Sequence, residues 1–357
     1  MGDLLDLVLE EGASDLHIPC YSPPVLRLHG EMTPLDVEPM GPEDTEYLMK
    51  SITSESNQQK LAAEGSVDFG FAFGDRARFR VSVFKAKGAI GMVLRTIPNT
   101  LLSMEQLGLP PSVKDVLFKP RGLILVTGPT GSGKSTTLAS MIDLINIEKR
   151  DHIITIEDPI EFVHPNKKSV IVQREVGADT DSFGIALRGA MRADPDIILV
   201  GEMRDLETMN LALTCASMGM LVFATLHTNN APKTVDRIID TFPAEQQPQI
   251  RAMLAQSLAA VISQLLCKTA DGKGRIATHE ILLRHEALPA TIREGQIANI
   301  RSIIEQSSGR GMKTMDSDLM RIYKAGIITA TEAFMKATNK AEFEPFLSAD
   351  DMNSLRS

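Results

Sequence analysis

Tryptophan is missing from the sequence and aromatic residues make up only 4% of it, so stacking platforms for single-stranded nucleic acid are poorly supplied. Positive charge is in deficit too. Lys and Arg number 37 against 46 Asp and Glu, a formal net charge of −9, which argues against nucleic acid as the main partner. Cysteine is scarce: Cys20, Cys215 and Cys267 are odd in number, far apart and never in a CxxC pair. That pattern argues against a disulfide framework and against a zinc site, and leaves them as small apolar residues in a reducing compartment. No apolar run reaches the ~18 residues a membrane span requires. The opening MGDLLDLVLEEG carries acidic residues and no basic region, so the expectation is an amphipathic helix of a cytoplasmic protein rather than a secretory signal.

What is present suits a soluble globular protein of two domains: 357 residues, 43% apolar and 23% charged. FGFAF, RARFRVSVF and AIGMVLRTI between Phe69 and Ile97 read as an antiparallel meander, punctuated at Gly74-Asp75 and Gly88. Pro42 after Gly41, followed by acidic residues, predicts a helix start. Residues 1–97 are therefore expected to form a small α+β domain. Residues 98–120 hold four prolines and read as a connector. From 121 to 267, the runs GLILVT, HIITIE, DIILV and LVFATL alternate with helical stretches, the pattern of an α/β domain with a parallel sheet. Ile250, Met253, Leu254, Leu258, Val261, Ile262 and Leu265 fall at i, i+3, i+4 spacing and predict an apolar stripe on one helix. Residues 268–357 are expected to be a helical appendage, with Thr329 and Glu332 spaced as a capping box.

Chemistry concentrates in the α/β part. Gly128, Pro129, Thr130, Gly131, Ser132, Gly133, Lys134 and Ser135 fit GxxxxGK[ST] between a predicted strand and a predicted helix, with Thr136 next. Such a loop turns backbone N–H groups onto phosphate oxygens, and the helix start adds a positive dipole end. Lys134 is expected to reach the β- and γ-phosphates of ATP, and the Ser135 hydroxyl to ligate Mg²⁺. In DPDIILVGEMRD the strand is followed by Gly201 where a Mg²⁺-handling Asp is common, and the carboxylate comes one later, at Glu202. Glu202 is the candidate to orient or deprotonate the attacking water, or else a helix-capping acid. HIITIE runs into Glu157, Asp158 and Glu161 around Pro159, which places carboxylates beyond a strand C-terminus. With Ser135 and Glu202, Glu157 completes the candidate magnesium-handling set. LVFATLHTNN delivers Thr225, His227, Thr228 and Asn229 to the same edge, where a polar strand end can sense the γ-phosphate; a backbone-satisfied turn histidine is the other reading of His227.

Taken together, these motifs resemble the secretion-type RecA-like ATPases, and among them the retraction ATPases of type IV pili, the PilT/PilU group. ASDLHI, RFRVSVF, LRTIP, VTGPTGSGKSTTL, TIEDPIEF, QREVGADTDSF, DPDIILVGEMRDLET, ATLHTNNA and RIIDTFP carry the resemblance, which spans nearly the whole chain. It implies a Walker A at 128–135, an aspartate box at 153–161, a Walker B at 197–202 and a histidine box ending at His227. It also implies Glu202 as catalytic glutamate with Glu157 and Glu161 in support, and a PAS-like first domain joined to a RecA-like domain. The family assembles as a hexameric ring, which gives a use to Arg78, Arg80 and Arg95: first-domain arginines there reach the nucleotide, and surface salt bridges are their other reading. Arg192, Arg204 and Arg237 flank the motifs and are weaker candidates.

The resemblance implies a cytoplasmic homo-hexameric motor at the pilus base, peripheral to the inner membrane. It would hydrolyse ATP to retract pili for twitching motility and pass force to an inner-membrane platform protein, with a paralogous pilus ATPase as a further partner. Two positions depart from the family. Met220 follows Gly219 where relatives carry a histidine, and the retraction motif survives only in part from Ala287 to Glu294, where Ile292, Arg293 and Glu294 match and the Arg-Asn pair is replaced. Readings left open are a pilus-assembly or type II secretion ATPase, an accessory nucleotide-gated paralogue, and a RecA-type nucleic-acid motor that the acidic balance disfavours.

Overall fold

The computed structural model describes residues 1–28, 30–97, 101–348 and 351. It divides into two compact units, Met1–Thr100 with Asp158–Val163, and Leu101–Glu157 with His164–Ser357.

In the first unit the opening residues form helix α1 (Gly2–Glu10), whose apolar face buries Leu5 and Val8. Strands β1 (Asp15–Ile18), β2 (Val25–Leu28) and β3 (Glu31–Pro34) follow, then α2 (Pro42–Lys50) and α3 (Glu55–Glu64). As the Gly-Pro signal predicts, α2 begins at Pro42, and the Asp44 carboxylate accepts the Gly41 N–H at 2.8 Å. The expected meander is β4 (Ser66–Phe73), β5 (Ala77–Ala86) and β6 (Ala89–Ile97), joined in antiparallel pairs. Sheet order is β3-β2-β1-β6-β5-β4. Along β5 the buried residues alternate, with Phe79, Val81 and Val83 fully inside, because one face of this sheet covers the unit's core.

The second unit holds α4 (Pro111–Leu117), β7 (Gly122–Thr127), α5 (Lys134–Glu148), β8 (His152–Glu157), β9 (Val170–Glu175), α6 (Phe183–Ala190) and β10 (Ile197–Val200). It continues with α7 (Leu206–Ser217), β11 (Leu221–Leu226), α8 (Ala231–Asp240), α9 (Gln247–Ser257), β12 (Leu258–Lys268) and β13 (Arg275–Leu283). Helices α10 (Leu288–Arg293), α11 (Ile300–Gln306), α12 (Met315–Lys324) and α13 (Ala330–Lys336) complete it. The sheet order is β13-β12-β7-β11-β10-β8-β9, with β7 through β12 parallel and β13 antiparallel at the edge. Every residue of β7, β10 and β11 is buried, which is why these strands read as unbroken apolar runs.

Four expectations change. The stretch from Pro98 was read as a connector; Pro98 itself lies outside the described residues, but Leu107, Leu109, Val113 and Leu117 are core residues of the second unit. The apolar stripe from Ile250 to Leu265 is not one helix. Helix α9 stops at Ser257, and Leu258, Val261, Ile262 and Leu265 belong to β12, paired with β7 on one side and β13 on the other. A strand buried on both faces is apolar at nearly every position, so it satisfies helical spacing as readily as any other. By the same token β13 puts a strand inside 268–357, which becomes helical only from α10 onward. At α13 the Thr329 hydroxyl does accept the Glu332 N–H at 3.1 Å, but the Glu332 carboxylate turns to the Lys268 N–H at 3.0 Å instead of closing the capping box. The end of that region, 349–350 and 352–357, lies outside the described residues.

Ile262 is fully buried on a strand with neighbours on both sides. Ile262→Ala is expected to cost about 2–5 kcal/mol of unfolding free energy, read from urea denaturation; a change below ~0.5 kcal/mol would contradict this placement.

Candidate functional site

Parallel pairing of β7, β11, β10 and β8 sends their carboxyl ends to one edge of the sheet, the edge where α/β proteins bind ligands. The loop of residues 128–133 leaves β7 and turns directly into α5. Gly128 is required by close approach: a Cβ there would lie 2.3 Å from the Gln264 carbonyl oxygen and 2.6 Å from Ser132 Oγ. The Lys134 ammonium folds back to donate to the Gly128 and Pro129 carbonyls at 2.8 and 3.0 Å. Ser132 Oγ is buried without a hydrogen-bond partner among the described residues. An orphaned hydroxyl inside a glycine-lined loop at a helix start fits a phosphate group.

The loop after β10 carries the acid. Gly201 occupies the place where an Asp was expected, and the geometry explains it: a Cβ at 201 would press on Ile156 O at 3.2 Å and on Glu157 Cα at 3.3 Å. The carboxylate is thereby displaced to Glu202. Its Oε1 lies 2.7 Å from His227 Nε2 and its Oε2 2.8 Å from the Arg204 guanidinium. An ionised carboxylate can only accept, so the imidazole carries its hydrogen on Nε2. His227 is thus a carboxylate partner, not a backbone-satisfied turn residue. Burial pushes the Glu202 carboxyl up, but the Arg204 hydrogen bond and charge and the His227 contact outweigh it, leaving the group below its ordinary value of 4.5. Arg204, ranked low from sequence, is therefore the chief counter-charge of Glu202.

Thr225 differs from its expected role. It is buried, and its hydroxyl donates to Gly201 O at 2.5 Å while its carbonyl accepts the Met203 N–H at 3.1 Å, so it braces the acid-bearing loop. The Thr228 hydroxyl pairs with that of Thr234 at 2.7 Å, and Asn229 is exposed. Glu157 ends β8, with Thr155 Oγ1 donating to it at 2.6 Å and Gln173 Nε2 at 3.1 Å. Glu161, by contrast, belongs to the first unit, where its Oε1 lies 3.6 Å from the Arg80 guanidinium. In that unit Arg78 Nε donates to Ile160 O at 3.0 Å, and Arg95 Nε donates to the buried Asp15 carboxylate at 2.8 Å. Arg95 thereby acts as a cross-strand partner between β6 and β1, the salt-bridge reading.

Oxygen donors of Ser135, Glu157 and Glu202 suit a hard cation. Among the described residues no group of three or more His, Cys, Asp or Glu side chains could hold a metal alone.

Sequence reading missed Gln264. It is buried on β12, and its Nε2 donates to Ser132 O at 2.6 Å. The signal was there, as Ser263-Gln264 is a polar pair inside the apolar run LAAVISQLL.

Because Glu202 titrates below its ordinary value when folded, its pairing stabilises the protein above pH ~4.5 and is lost as pH falls through the depressed value. The stability difference between wild type and Glu202→Gln, from urea titrations, is expected to be larger at pH 7 than at pH 3. An equal difference at both would refute the pairing.

Comparison with known proteins agrees with this architecture. The family model described as "Type II/IV secretion system protein" matches residues 3–296. The type IV pilus retraction ATPase PilT of Pseudomonas aeruginosa is 48% identical over 335 residues, 94% of this chain and 97% of the relative. The type IV pilus ATPase PilU of the same organism is 40% identical over 334 residues, covering 94% of this chain and 87% of PilU. The crystal structure of the pilus retraction motor PilT with bound ADP superposes with a TM-score of 0.90 at 45% identity, over 97% of this chain and 99% of that one. The ATPase DotB of Legionella pneumophila gives a TM-score of 0.81 at 28% identity, over 92% and 93% of the two chains. A RecA-like sheet with its loop-and-carboxylate edge, matched from the first helix to beyond α10, places this chain in the type II/IV secretion system protein family.

Proposed function

We propose that the chain is the ATP-hydrolysing motor that retracts type IV pili, working as a homo-hexamer. The observation that carries this reading is the near full-length likeness to the retraction ATPase PilT, with the phosphate-type loop and an ionised acid on one sheet edge. In this reading residues 128–136 bind the nucleotide, Lys134 leaving its loop carbonyls for the phosphates. Magnesium, held by Ser135 and handled by Glu157 and Glu202, supplies charge neutralisation when bound. Glu202 accepts a hydrogen bond from the attacking water and aims it; its depressed pKa makes it better at orienting than at removing a proton. His227 and Arg204 hold that carboxylate in place and keep it ionised.

Residues 1–97 act as the first domain, 121–267 as the ATPase core, with the stretch from Leu101 to Pro120 packed onto that core instead of serving as a free connector, and 268–357 as the C-terminal region. Arg78 and Arg80 serve the nucleotide of a neighbouring protomer, where positive charge is needed as phosphoryl charge spreads. Arg95 is more firmly committed to Asp15. No helix among the described residues is long and apolar enough to cross a membrane. In this reading force passes to a separate inner-membrane platform protein at the cytoplasmic face. PilU offers a second reading as an accessory paralogue, favoured by Met220 and the altered residues between Ala287 and Ile292.

Phosphate release by the purified chain separates the two readings, because a retraction motor turns over ATP alone. Lys134→Ala is expected to abolish turnover, and Glu202→Gln to cut it by roughly 10²–10⁴-fold with nucleotide binding retained. Deleting the gene should leave cells with surplus surface filaments that do not retract. Loss of filaments instead would point to an assembly motor.

A further inference from the structure

Building on the nucleotide-binding reading above, we propose that Gln264 is a positioning residue for the phosphate loop, held from behind by His279 and by Asp318 of α12. The register places it. Ser263 on β12 pairs with Thr127, the last residue of β7, so the next position on β12 falls beside the start of the loop.

Gln264 then meets the loop at both ends. Its backbone oxygen closes on Gly128, where a Cβ would sit 2.3 Å away, and its side-chain nitrogen closes on Gly133, where a Cβ would sit 2.8 Å away. Between these points Nε2 donates to Ser132 O at 2.6 Å. Oε1 accepts from Thr137 Oγ1 in the first turn of α5 at 2.7 Å. The amide has one working orientation, since a flipped group would set its oxygen against the Ser132 carbonyl. Tying that carbonyl back leaves the loop's N–H groups to turn toward the ligand.

The support behind Gln264 is equally specific. His279 Nε2 lies 3.2 Å from Gln264 Oε1, and its Nδ1 is buried without a partner among the described residues. Burial first, then nearby Lys313, drives this imidazole down to about 3, so it is neutral and its one N–H sits on Nε2, donating to Gln264. The His279 backbone N–H donates to Asp318 Oδ2 at 2.9 Å, and Thr278 Oγ1 donates to the same oxygen at 3.2 Å. Lys313 and Arg321 pair with the other oxygen at 2.9 and 2.8 Å, and the Asp318 side chain has no exposed surface. A buried polar chain of this kind rigidifies the group at its end. Here it runs from α12 to the loop and touches none of the hydrolytic groups.

The test uses the full-length protein, with fluorescent ADP binding and steady-state ATP hydrolysis as readouts beside urea midpoints. Gln264→Leu is expected to raise the ADP Kd and the KM for ATP about tenfold or more, with kcat changed less than threefold. Thr137→Val should raise both several-fold, and Thr137→Ser, which keeps the hydroxyl, should restore them to within twofold of wild type. Variants that lower only the urea midpoint, with Kd and KM at wild-type values, would show a merely structural role and overturn the proposal. If Gln264→Leu does not fold, the Thr137→Val and Thr137→Ser pair decides alone, and wild-type binding by Thr137→Val overturns it. A wild-type chain that binds no ADP would refute the nucleotide reading itself, and this inference with it.

Discussion

Parallel strands cannot choose where their carboxyl ends go. Once β7 pairs with β11, β11 with β10 and β10 with β8, the loop after β7, the acid after β10 and the histidine after β11 must emerge on one side. All the proposed chemistry depends on that constraint. The sheet, buried through β7, β10 and β11, gives the edge its rigidity, since those strands have no exposed face on which to slip.

Within that frame, small residues decide distances. Gly201 lets β10 end against Glu157, and the carboxylate stands one residue further along the chain, at Glu202. Thr225 then pins the displaced loop from β11, so that Glu202 meets both His227 and Arg204. Two positive or hydrogen-bonding partners on one carboxylate explain why it stays ionised despite burial. Gly128 does similar work on the other side of β7, where only a residue without a side chain can pass the backbone of β12.

Much of this was legible without coordinates. The spacing GxxxxGKS between an apolar run and a helix needs no tertiary information, because strand, loop and helix are contiguous in the chain. The meander of β4, β5 and β6 was equally plain, since one-sided burial writes its period of two into the residues. Period fails where burial is two-sided, and β12 was read as a helix for that reason. The role of Arg204 was obscured for a different reason: an arginine two residues from an acid can face any direction until the backbone between them is fixed.

By itself, then, the order of residues determined most of the local units and that one of them carries a phosphate-loop pattern. Those outcomes depend on contacts within some ten residues, which a linear reading can follow. Only the tertiary structure decided that Gln264 lies beside Ser132, that His227 answers Glu202 and that Arg95 belongs to Asp15. Each of those pairs joins positions 25 or more residues apart through sheet register, and register is set by the packing of the whole core.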